Sequence, residues 1–156
     1  MQKITPHLWY DKEAKKAAEF YVEIFKNNSK ITSIQTLKNT PSGDTEVVTF
    51  ALRGQEFIAI SAGPDFKFNE SISFVINCEN QEEVDYFWEK LSSVPEAEIC
   101  GWLKDKFGLS WQVVPVELNK MLSDKDQEKV NRVVQTFLKM KKIDLEELRR
   151  AYKSDA

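Results

Sequence analysis

One histidine, His7, and two cysteines, Cys78 and Cys100, are all that 156 residues offer of the softer metal ligands. A single imidazole and two separated thiols make neither a Cys/His zinc set nor a disulfide framework, which points to a reduced, cytoplasmic protein. Cys100 as a nucleophile would need a base beside it, and the chain has one imidazole to supply. No apolar run approaches the roughly 18 residues that suggest a spanning helix, so no membrane role is expected. The opening residues, MQKITPHLWYDKE, lack the apolar centre of a secretory leader. Positive charge is not in excess either: 22 Lys and Arg stand against 25 Asp and Glu, for a formal net charge of −3. That excludes the basic footprint of a nucleic-acid-binding domain. The one basic run, Lys139–Lys142, lies between two expected helices and reads as charge complementing a helix C-terminus.

What remains is an ordinary globular balance, 42% hydrophobic and 30% charged, long enough for one domain over 1–156 with a sizeable core. Residues 3–10 read as a strand. Asp11 opens a helix to about Lys26, with Ala14, Ala17, Ala18, Tyr21, Ile24 and Phe25 on one apolar face. Strands follow at about 30–38, 45–53 and 56–61, broken by Pro41-Ser42-Gly43-Asp44 and by a tight turn at Arg53-Gly54-Gln55. The order β-α-β-β-β then recurs. SISFVINC (71–78) is a strand, and Asn80 with Glu83 caps a helix whose core-facing stripe is Val84, Phe87, Trp88 and Leu91. Residues 98–104 and 109–114 form a hairpin around Asp105–Gly108, where Asp105 caps the turn. A further short strand near 94–99 is an open possibility. The expected modules are about 1–62 and 70–115.

A helical tail occupies about 116–153. Asp124 with Gln127 caps one helix, whose apolar face is Val130, Val133, Val134, Phe137 and Leu138. Asp144 with Glu147 caps a last helix, with Ile143 and Leu148 placed as a hydrophobic staple. Phe137 and Leu138 are expected to be buried by the βαβββ body or by a partner chain.

The stretches ITPHLWY, AAEFYVEIF, GQEFIAISAGPDFKFNESISFVIN, EEVDYFWEKL, CGWLKDKFGLSWQVVP and FLKMKKIDLEELRRAY together resemble the PhnB-like family. That family is labelled a 3-demethylubiquinone-9 3-methyltransferase domain. It belongs to the vicinal oxygen chelate superfamily, with glyoxalase I, bleomycin-resistance proteins and extradiol dioxygenases. The resemblance implies an α+β fold: two βαβββ modules forming a curved, cleft-bearing sheet, in a homodimer, here with a C-terminal helical extension. Five glycines, all read in turns, leave no Gly-rich strand-loop-helix for S-adenosylmethionine.

The superfamily's metal site takes four inward His/Glu-type side chains from the first and last strands of each module. DKFGLSWQ resembles its Asp-Pro-x-Gly-x-x-x-Glu strand, with Gln112 where the metal-binding Glu would stand. Strand parity completes the set as His7, Ala59, Ser73 and Gln112. An amide oxygen is a poor anchor for a transition-metal dication, so no metal and no cofactor is expected. The resulting expectation is a protein that binds a small organic ligand, or a metal-independent enzyme. Its cleft would be lined by His7, Trp9, Ser73, Trp102 and Gln112. Trp9, Trp102 and Trp111 are either packing or stacking residues. Trp102 is the best cleft wall, with Gly101 leaving it room. Gln112 either bonds a neighbour or orients a ligand. Histidine titrates near neutrality, so His7 is the candidate catalytic acid or base. The rivals are a metal-dependent enzyme of glyoxalase or dioxygenase type and a non-catalytic sequestering protein of bleomycin-resistance type.

Overall fold

Residues 2–154 are described in a computed structural model of the chain. They form two compact units that divide after Phe68. The first runs β1 (His7–Tyr10), α1 (Ala14–Phe25), β2 (Lys30–Thr40), β3 (Gly43–Leu52) and β4 (Gln55–Ser61). Its sheet has the order β1-β4-β3-β2. The first strand lies parallel to β4, and the other pairs are antiparallel. This is the expected βαβββ module.

The apolar stripe of α1 is as read: Ala14, Ala17, Ala18, Tyr21, Ile24 and Phe25 are its buried residues. They meet one face of the sheet, where Leu8, Tyr10, Val48, Phe50, Phe57 and Ala59 are also buried. Each large apolar side chain so covered contributes about 1.5–3 kcal/mol. The helix starts at Ala14, later than Asp11, because its end is capped from a distant element. No side chain of the preceding residues caps it. Instead the Ala14 N–H donates to Ser61 Oγ on β4 at 3.0 Å. The β3–β4 connection is the expected tight turn. Arg53 and Gly54 both have positive φ, the backbone of a two-residue turn matched to strand twist.

The second unit runs β5 (Ser73–Cys78), α2 (Gln81–Leu91), β6 (Trp102–Lys104) and β7 (Ser110–Pro115), then α3 (Val116–Leu122), α4 (Gln127–Phe137) and α5 (Leu145–Lys153). Its sheet has three strands in the order β5-β7-β6, with β5 parallel to β7. The fourth strand considered near 94–99 does not form, and Pro95–Ala97 makes a short 3-10 turn there instead. Proline at the start of that turn has no N–H for a ladder. Asn80 caps α2 by accepting from Glu83 N at 2.9 Å. Val84, Phe87 and Leu91 are buried under it, while Trp88, read as core, is only half-buried.

The tail has three helices, not two. The helix α3 follows β7 directly, with Pro115 at its N-cap and no side-chain cap to announce it. The cap of α4 is Asp126, whose carboxylate accepts from Glu128 N and Lys129 N, and not Asp124. Asp144 caps α5 as expected, accepting from Glu147 N at 3.1 Å. Ile143 and Leu148 are both fully buried, with Leu118, Met121 and Val133. Phe137 is only partly buried against this cluster, and Leu138 is 49% exposed. Leu138 ends up outside because α4 stops at Phe137 and the chain turns there.

The tail is tied to the βα part of its unit at two places. The Gln81 side chain donates to Ile143 O and accepts from Leu145 N, and Lys142 pairs with Asp85. At the second place, Ile99 and Trp102 exchange backbone hydrogen bonds around Cys100-Gly101. Both central residues have positive φ. The N–H groups of Cys100 and Gly101 donate to Met140 O and Lys141 O, each at 2.8 Å. A Cβ on Gly101 would stand 3.1 Å from Val113 O and 3.2 Å from Ile143 Cγ1. Glycine is therefore required for this close approach, rather than to make room for Trp102.

Candidate functional site

Alternation along β7 decides which side chains face away from α2. Leu103, Trp111 and Val113 are buried on the helix side. The opposite, open face of this unit is a small grid set by the strand register. Ser73, Ser110 and Lys104 form one row across β5, β7 and β6, and Val75, Gln112 and Trp102 form the next. Three of the five expected site residues thus share one face. Gln112 Nε2 donates to Ser73 Oγ at 3.0 Å. Gln112 is half-buried, and so is Trp102, its direct cross-strand partner. The Gln112–Ser73 bond uses one amide N–H and one hydroxyl lone pair. It leaves the amide carbonyl and the Ser73 proton available to a third group. Lys104 makes an ion pair with Glu70, and its hydrogen bond is the first cause holding the Glu70 carboxyl below the usual carboxylate range.

His7 and Trp9 stand on the open face of the first unit. His7 is exposed and lies opposite Ile58 on β4, and Trp9 lies opposite Ile60. The Trp9 indole N–H donates to Gly63 O at 2.9 Å, and its ring meets Phe66 edge-on at 4.9 Å. Ala59, placed with His7 by parity, is on the other side: it pairs with Leu8 and is fully buried beneath α1. The slip is one residue. Counted from the first residue of each parallel strand pair, Gln112 corresponds to Ile60 of the first unit.

One arrangement escaped the sequence reading. Asp105 is buried, and besides closing its turn it accepts from the Trp111 indole N–H at 2.9 Å. Its other oxygen accepts from Phe107 N at 2.8 Å and Leu109 N at 3.1 Å. The Asp-x-x-x-x-x-Trp spacing across a hairpin turn was the available signal. Trp111 is therefore packing with an anchored indole, not a stacking platform.

The donors present do not fit the metal of the superfamily. Among the described residues no three His, Cys, Asp or Glu side chains gather. Gln112 offers only a neutral amide oxygen, a poor anchor for a transition-metal dication, and the position matching it in the first unit is an isoleucine. Nor do the strand-to-helix turns fit a methyl-donor nucleotide, which needs glycines that let backbone approach it closely. Asp11-Lys12-Glu13 leads into α1, and Glu79-Asn80 leads into α2.

Residues 2–114 match the family model described as 3-demethylubiquinone-9 3-methyltransferase. Among solved structures, the chain is similar to the PhnB protein of Bacillus cereus, with 35% identity and a TM-score of 0.61 over 73% of this chain and 99% of that one. Two further likenesses show the fold alone. Protein PA1353 of Pseudomonas aeruginosa is 14% identical, with a TM-score of 0.57 over 74% of this chain and 98% of that one. The fosfomycin resistance protein FosX of Listeria monocytogenes is 16% identical, with a TM-score of 0.52 over 79% and 98%. No curated protein matches. A family match over most of the chain, and a relative more than 30% identical along its whole length, place this protein in the PhnB-like 3-demethylubiquinone-9 3-methyltransferase family of the vicinal oxygen chelate superfamily.

Proposed function

We propose that the chain is a small-molecule-binding protein, or an enzyme that works without a metal, whose ligand lies on the open face of the second unit against Trp102, Gln112 and Ser73. The observation that carries this is the Gln112–Ser73 pair at 3.0 Å, beside a half-buried indole. The pair keeps one acceptor and one donor uncommitted, and the indole supplies a flat apolar wall. A few convergent polar groups on an apolar surface are the usual make-up of an organic-ligand site. On the first unit, taken by itself, Trp9 offers a ring whose N–H is already satisfied, and His7 is the residue we propose as acid or base in the enzymatic reading.

Binding without turnover is the second reading. It is favoured by the grid itself, whose one ionisable member, Lys104, is engaged by Glu70. Native mass spectrometry of freshly purified protein, before and after Gln112→Glu, tests the site. A small organic adduct lost in the variant supports it, and an adduct indifferent to Gln112 sinks it. Chemical change of the bound molecule on incubation separates an enzyme from a sequestering protein. Stoichiometric metal in untagged protein purified without chelator would favour the metalloenzyme instead.

The working form we propose is a cytoplasmic homodimer. The strand β2 is an edge strand that exposes Ile34 and Leu37. Such edges need covering, and a second copy would supply the cover.

A further inference from the structure

Ser110 is 1% exposed, yet its hydroxyl has no hydrogen-bond partner among the described residues. A buried hydroxyl left unpaired is costly, and native proteins keep few of them. It lines a cavity of about 380 Å³ on the second unit, together with Glu70, Glu96, Ile99, Trp102 and Lys104. That is room for a small organic molecule. Ile99 is 58% exposed and Trp102 is half-buried, so the walls are largely apolar.

We infer that this cavity takes an uncharged molecule with an apolar, flat body and a carbonyl oxygen, and that the oxygen accepts a hydrogen bond from Ser110 Oγ. The inference rests on the proposal that this face binds a small organic ligand, and it names the ligand's class. Charge decides against the alternatives. The Lys104 ammonium is already matched by Glu70, and Glu96 adds a second carboxylate against that one cation. A carboxylate or phosphate would have to displace Glu70 and face Glu96. An amine would leave the Ser110 proton without an acceptor. A neutral carbonyl satisfies the hydroxyl and disturbs no ion pair.

The test uses three probes of one size: acetophenone (neutral), benzoate (anionic) and benzylamine (cationic). Each is titrated into the full chain and followed by tryptophan fluorescence and amide shifts. Acetophenone should saturate, moving the amides of Trp102, Lys104 and Ser110, and benzoate should bind about tenfold more weakly or worse. Ser110→Ala should weaken acetophenone about fivefold. The same variant should leave the urea midpoint unchanged or higher, since the hydroxyl has no partner among the described residues. Benzoate or benzylamine binding as tightly as acetophenone would overturn the inference. So would a Ser110→Ala variant that binds acetophenone unchanged. If acetophenone responds to Gln112→Glu but not to Ser110→Ala, the face binds ligands and this inference alone fails. If no probe binds at all, both fail. A sedimentation mass altered by Ser110→Ala with no probe bound would assign the hydroxyl to a contact between copies, and would also overturn it.

Discussion

The carboxylate of Asp105 accepts from two backbone N–H groups and one indole while buried. Removing it strands those donors in the interior, where each unpaired group costs about 1–3 kcal/mol. Asp105→Ala should therefore lower stability by about 3 kcal/mol or more in urea unfolding, and a loss under about 1 kcal/mol would show the donors re-paired. Cys78 presents the opposite case, a group that burial silences. Desolvation, with Glu83 adding to it, pushes its thiol up to about 12. A thiol reacts as the thiolate, so at pH 8 Cys78 stays protonated and inert. Ellman's reagent should find one reactive thiol in the native chain, Cys100, and two after unfolding. The native signal should vanish in Cys100→Ala. At this scale sequence reading succeeded where chemistry was local and failed where partners were distant. Asp105 as a turn cap was visible in its spacing, but its bond to the Trp111 indole depends on how two strands pair. The side of Ala59 was misread for a different reason. Phe57, Ile58, Ala59 and Ile60 are all apolar, so the strand has no alternation to fix its phase, and only pairing with Leu8 settles it.

Elements with a two-sided pattern were the most legible. All six residues predicted to line α1 are its buried set, because one face is apolar and the other is Lys and Glu. The tail helices were less so, since α3 lacks a cap and the end of α4 depends on where the chain turns. The burial pattern gives a direct comparison. Leu148→Ala should cost about 2–5 kcal/mol, as Leu148 is fully buried. Leu138→Ala should change stability by less than about 0.5 kcal/mol, as Leu138 is half exposed. Equal effects at the two positions in denaturant titrations would contradict the packing described. The tail also carries a pH signature. Hydrogen bonding to Lys142 lowers the Asp85 carboxyl, and hydrogen bonding to Arg149 lowers that of Glu117. A carboxylate depressed in the folded state adds stability that is present above its unfolded value, near 4. That stability is lost as pH falls through the lower folded value. Both pairs are partly exposed, so each is worth only about 0.5 kcal/mol. Stability should be flat between about pH 5 and pH 8 and decline below pH 4. The decline should be shallower in Asp85→Asn, and an unchanged slope there would remove that pair from the account.

At the scale of the whole molecule, family and fold were readable because several stretches of the chain carry them together, whereas no stretch names a ligand, because the polar residues of the open face, Ser73, Lys104 and Gln112, come from three strands with no fixed spacing in sequence. The dimer proposed from the exposed edge has a direct test. Sedimentation at micromolar concentration should give a mass near twice 18.1 kDa, and a monomer there would argue against the dimer. The seat of the tail has a consequence of another kind. Cys100 and Gly101 hold Met140 and Lys141 through backbone groups alone, with Gly101 leaving no space for a side chain. The attachment is therefore blind to the identity of the residues on the tail side and sensitive to their number. Over many generations Lys139 and Lys141, both exposed, could exchange their side chains freely, while Met140 packs on the tail cluster and Lys142 pairs with Asp85. A single insertion or deletion there would put the wrong carbonyl opposite each N–H, so what selection guards at this point is spacing rather than chemistry.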